Sequence, residues 1–135
     1  MANISFYLFE KSPERQVESA CRLCRKILKR DEKIWLLCDD LTLQQQLDER
    51  LWSFDPTSFI PHGIHHENDP ICISEQLPTE TDRIIFNFTQ QALDQFGKFS
   101  HIIEIIENNE IAKQLGREKF KQYRSFGIEP KTYKL

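Results

Sequence analysis

Five short apolar runs, separated by stretches with helical signals, leave few folds open to this chain. They are Ile4-Ser5-Phe6-Tyr7-Leu8-Phe9, Ile34-Trp35-Leu36-Leu37-Cys38, Ile71-Cys72-Ile73, Ile84-Ile85-Phe86-Asn87-Phe88 and His101-Ile102-Ile103-Glu104-Ile105-Ile106. Runs this short and this continuous suit strands buried on both faces. After the first run, Ser12-Pro13-Glu14 supplies an N-cap, a proline at the first helical position and an acid in the first turn. Val17, Ala20, Cys21, Cys24, Ile27 and Leu28 then recur at helical spacing, predicting a helix to about Lys29. Asp40 can cap a second helix running to about Trp52. A short helix is expected at about Gln90–Phe96, and a final one from Asn109 to Phe126, terminated by Gly127. The segment from Phe54 to Gly63, with two prolines and a glycine, reads as a structured loop. Strands alternating with helices predict an α/β, Rossmann-like single domain over residues 1–135. Its sheet should be mostly parallel and five-stranded, with helices on both faces.

Charge is distributed unevenly. The chain carries a net −3, yet residues 110–135 hold seven basic side chains against three acidic, a local +4 that leaves −7 on the preceding 109. A basic end on an acidic body points to a localised anion-binding surface rather than a general affinity for nucleic acid. The N-terminus lacks a signal-peptide pattern and no apolar run is long enough to span a bilayer, so a cytoplasmic location and reduced cysteines (Cys21, Cys24, Cys38, Cys72) are expected.

The scaffold lacks the parts a nucleotide site requires. A dinucleotide fold needs glycines after its first strand, where backbone N–H groups meet the pyrophosphate. Here that connection is Glu10-Lys11-Ser12-Pro13, with no glycine, a proline without an N–H and an acid that repels phosphate. Asp39, placed where a ribose-binding acid could sit, reads as a capping or surface residue. No cofactor is expected. Cys21-Arg22-Leu23-Cys24 matches CxxC, but it falls inside a helix, away from its N-terminus, and is read as core. His62, His65 and His66 beside Glu67 form a denser cluster, read as solvated loop rather than metal site. No catalytic constellation stands out.

On the final helix, Ile111, Ala112, Leu115, Tyr123 and Phe126 fall on one arc, expected to pack on the sheet. Lys113, Arg117, Lys121 and Arg124 fall on another, with Phe120 at its edge. An aromatic beside several cations suits a peptide ending in an apolar side chain and a carboxylate. A merely solvated stripe and a direct DNA-binding stripe are the competing readings. Gly116, one turn before Phe120, suggests a close approach.

Several segments together resemble the chi family of bacterial DNA polymerase III accessory subunits, over nearly the whole chain. They are Phe6-Tyr7-Leu8 before a capped helix, Trp35-Leu36-Leu37-Cys38 ending in acids, Leu47-Asp48-Glu49-Arg50-Leu51-Trp52 followed by Phe59-Ile60-Pro61-His62, and the segment from Lys113 to Arg124 with Gly127 after it. The resemblance implies a non-catalytic clamp-loader subunit that binds the psi subunit. It also implies capture of the acidic C-terminal tail of single-stranded DNA-binding protein, with nucleic acid engaged only indirectly and no membrane partner. Lys113, Arg117 and Lys121 match the family's basic tail-binding positions. Phe120 stands where tyrosine is usual, losing a hydroxyl, and Gly116 where alanine is common. Trp52, Phe59 and Pro61 match surface positions assigned to the same recognition face. A direct nucleic-acid module and a small Rossmann-like transferase are the alternatives.

Overall fold

A computed structural model describes residues 3–9, 16–29, 32–53, 61–79, 83–93, 99 and 101–134. Its elements in chain order are β1 (Asn3–Leu8), α1 (Gln16–Leu28), β2 (Ile34–Leu37), α2 (Leu41–Ser53), β3 (His62–Ile64), β4 (Ile71–Ser74), β5 (Ile84–Asn87), β6 (His101–Ile106), α3 (Glu110–Ser125) and β7 (Lys131–Lys134). The strands form one sheet in the order β3-β4-β2-β5-β6-β1-β7, and every pairing is parallel.

Strand alternation divides the core into two layers. Ile34 and Leu36 of β2 face α1 and α2, packing with Ala20, Cys24 and Leu47; Trp35 and Leu37 face the other way, into the layer that holds Tyr123 of α3. Helices therefore cover both faces, as the alternation of elements predicts. The α1–α2 layer is clamped at its rim by Arg50 Nε on Glu18 Oε2 at 2.8 Å. Asp40 caps α2 as expected, its Oδ1 accepting the N–H of Thr42 at 2.9 Å.

Three expectations need correction. The sheet has seven strands, not five: β3 and β7 are its two edges, and β7 is exposed at every residue. An edge strand that buries little gives no apolar run to read. The helix expected at Gln90–Phe96 is absent from its described part, since residues 90–93 form bends and irregular chain; residues 94–98 lie outside the described residues. Asn87 explains the bend. Its Oδ1 accepts from Thr89 N at 3.1 Å while its Nδ2 donates to Gln91 O at 2.9 Å, giving the backbone a turn in place of a helix. Finally, Ile111 and Phe126 do not pack on the sheet. Ile111 is 84% exposed, and both sit near the ends of α3, past the sheet's cover. The face α3 buries runs instead through Gly116, Lys119 and Tyr123, with Ala112 partly buried.

Candidate peptide-binding groove

The helix α3 begins at Asn109, whose Oδ1 accepts the N–H of Ala112 at 2.8 Å, and ends at Phe126, before Gly127 turns the chain with a φ of 86°. What fixes its roll on the sheet is a polar contact inside the core. Glu104, in the middle of β6, is fully buried; Lys119 Nζ donates to its Oε1 at 2.8 Å, and Tyr123 OH and Asn87 Nδ2 donate to its Oε2, each at 2.7 Å. Burial pushes the Glu104 carboxyl above the usual range, against the pull of Lys119 and of the two further donors. With Lys119 and Tyr123 turned inward, Lys113, Arg117 and Lys121 are carried onto the outer face.

That roll opens a groove of about 480 Å³ between α3 and the β1–β7 edge of the sheet. Phe6, Leu8 and Ile106 form its apolar floor, and Thr132 and Lys134 of β7 its far wall. The α3 wall is Lys113, Gly116, Arg117 and Phe120. Glu107 and Glu110 close the end at which the strands finish. Phe120 stands edge-on to Phe6, ring centroids 5.4 Å apart at 62°. Among the described residues Lys113, Arg117 and Lys121 make no ion pair, so their charge is available to a ligand; Arg124, further along the stripe, meets Glu129 at 3.4 Å.

Gly116 is the point of closest approach. A Cβ there would lie 2.8 Å from Ile106 Cδ1 and 3.1 Å from its Cγ1. Gly116→Ala gains about 1 kcal/mol of helix propensity but overpacks this contact. Ile106→Val removes the closest atom, so a double-mutant cycle by urea unfolding should show favourable coupling of about 1 kcal/mol.

The expected site residues thus separate. Lys113, Arg117 and Phe120 line one groove, and Lys121 is exposed on the same helix just outside it. Trp52 and Pro61 lie elsewhere, both exposed, at the end of α2 and the start of β3. Trp52 meets His62 edge-on, centroids 5.2 Å apart. The groove floor lies on β1 and β6, four to five strand steps from β3, so the two places are roughly 19–24 Å apart at about 4.8 Å per step. A single recognition face holding Trp52 and Phe120 together does not form. Phe59 lies outside the described residues, as does the connection Glu10–Pro13.

Over the aligned length, a family model described as DNA polymerase III chi subunit, HolC, matches residues 1–131. The chain belongs to the DNA polymerase III chi family. It is 30% identical to a DNA polymerase III subunit chi of Pseudomonas aeruginosa, across 100% of this chain and 98% of that one. It is 30% identical to the subunit chi of Haemophilus influenzae over 90% of each chain, and 25% identical to that of Escherichia coli over 98% and 97%. Chi proteins are replication accessory subunits.

The other candidate chemistry of this chi-family chain resolves into structure. Cys21 and Cys24 are fully buried in the α1 layer, and burial pushes the Cys21 thiol up to about 12. The buried Cys38 and Cys72 thiols are raised to about 11 for the same reason, and all four cysteines are free. The histidines do not converge: His65 bonds Glu75 at 2.7 Å, His66 bonds Asp69 at 3.0 Å, and His62 is buried against α2. Among the described residues no group of side chains is arranged to hold a metal. Nor is any described helix long and apolar enough to cross a membrane.

Groove residues beyond the helix escaped sequence reasoning. Phe6, Leu8 and Ile106 read as core, and Phe6 and Ile106 are indeed buried; that they also floor a groove beside α3 has no signal in the sequence pattern. Thr132 and Lys134 belong to an unforeseen strand.

Proposed function

We propose that this chain is a non-catalytic accessory subunit of the replicative polymerase whose groove binds the acidic C-terminal tail of single-stranded DNA-binding protein. The observation that carries this reading is an apolar trough flanked by Lys113 and Arg117, cations with no ion pair among the described residues, and walled by Phe120. An aromatic chain end fits the floor, and its carboxylate meets a guanidinium whose fork matches it bidentately. The preceding acidic residues meet the remaining cations. Titrating such a tail peptide should show binding that weakens as salt is raised, because exposed charges are screened beyond about 8 Å at physiological ionic strength. Absent or salt-independent binding would sink the reading. Single-stranded DNA bound in place of the peptide would favour the direct nucleic-acid module instead.

The separate Trp52 surface supports a second docking place, and psi is the partner we assign to it. Trp52 is 56% exposed, large for a tryptophan, and lies at the sheet edge farthest from the groove. Buried tryptophans are frequent anchors of protein interfaces. Trp52→Ala should weaken psi capture about tenfold or more while leaving the tail titration unchanged. Equal losses at both partners would refute the two-surface arrangement.

A further inference from the structure

We propose that β7 is a docking edge, to which an extended acidic segment adds as an eighth strand alongside the groove. The proposal rests on the tail-binding reading and concerns the residues upstream of the chain end held in the groove.

The strand β7 is last in the sheet order. It pairs with β1 in parallel, and among the described residues no strand lies on its outer side. An edge of this kind presents backbone donors and acceptors ready to pair with another chain. Its side chains alternate across the sheet. Thr132 and Lys134 line the groove, while Tyr133 stacks on Tyr7 of β1 at 5.1 Å and 18° on the opposite face. That stack anchors the strand to β1. Groove and edge are therefore continuous: a peptide seated against Thr132 already lies beside the outer backbone of β7.

Charge selects the occupant. The strand Lys131-Thr132-Tyr133-Lys134 has two lysines and no acid, and it is exposed at all four residues. Lysines on an edge discourage pairing with a second copy of the same chain, since like charges would face each other. The same lysines attract an acidic strand. Glu107 and Glu110, at the Lys134 end of the groove, repel one, which leaves Lys131 as the better-placed cation. An acidic segment leaving the groove is thereby turned along β7, where main-chain hydrogen bonds supply affinity and the lysines supply preference.

Isothermal titration with three synthetic peptides tests this. All end in the same aromatic residue with a free carboxylate. One is short enough to fill the groove alone, one is extended upstream by a run of aspartates, and the third is the extended peptide N-methylated at each aspartate amide. The extended peptide should bind on the order of tenfold tighter than the short one. N-methylation, which keeps the charge but removes the donors, should erase most of that gain. Lys131→Glu should weaken the extended peptide and spare the short one. Equal binding by the extended and N-methylated peptides overturns strand addition, because the gain is then electrostatic alone. If only the short peptide fails, and the extended one remains sensitive to N-methylation, the groove reading falls and the edge stands. Binding by neither overturns both.

Discussion

Lys119→Met is expected to destabilise the fold by about 3–5 kcal/mol at neutral pH, the cost of leaving one member of a buried ion pair without its partner. Lys119 is 5% exposed, and its target Glu104 is fully buried in the central part of the sheet. Methionine fills most of the lysine's volume, so the loss reports the charge rather than a cavity. The pH dependence separates these two causes. Burial already raises the Glu104 carboxyl above its ordinary value, and removing Lys119 takes away the strongest opposing influence. A carboxyl raised in this way holds its proton more tightly in the folded state than in the unfolded one. Its contribution is fully present below the unfolded value and is lost as pH rises through the folded value. The variant's deficit should therefore be small in mild acid and grow toward neutrality, as read by urea unfolding at each pH. Adding Glu104→Gln removes the stranded charge, keeps an oxygen for Tyr123 and Asn87, and should restore much of the stability. A deficit that ignores pH and survives the second substitution would mean that packing, not the ion pair, sets the roll of α3.

The same pair shows what could and could not be read from the sequence. A glutamate in the middle of His101-Ile102-Ile103-Glu104-Ile105-Ile106 is a charge inside a fully buried strand, and such a charge needs a partner. Which of the basic residues on α3 turns inward to meet it has no local signature. Lys119 and Lys121 are chemically identical, and only the offset of the helix on the sheet distinguishes them. The inner strands were legible because both their faces are buried, so their apolar runs are continuous. The edges β3 and β7 were not, because their pairing depends on backbone contacts that side-chain pattern does not encode. Helix periodicity misplaced Ile111 and Phe126 for a related reason: a wheel describes angle but not where along its length a helix leaves its support. Spatial separation was the other hidden quantity. Trp52 and Phe120 fit one family pattern in sequence, yet one sits beside the β3 edge and the other over β1, toward the opposite side of the sheet.

Arg117→Ala should weaken tail-peptide binding by about tenfold or more, an effect of roughly 1.5–3 kcal/mol for a charge-assisted hydrogen bond lost at a partly desolvated site. Arg117 projects from the middle of the α3 wall, one turn from Lys113 and three residues before Phe120, above an apolar floor. A carboxylate brought there sheds part of its water against Phe120 and Ile106, which makes the directed fork of a guanidinium worth more than a diffuse charge. Arg117→Lys should then recover only part of the affinity, since an ammonium keeps the charge but not the bidentate geometry. Arg124→Ala is the control for charge alone. It removes the same formal charge from the same helix, but Arg124 lies outside the groove and faces Glu129 at 3.4 Å. Its effect should stay below about twofold, in line with the small value of an exposed ion pair. If Arg124→Ala and Arg117→Ala weaken the peptide equally, attraction is a property of the whole basic face, and the trough beside Phe120 is not where the chain end sits.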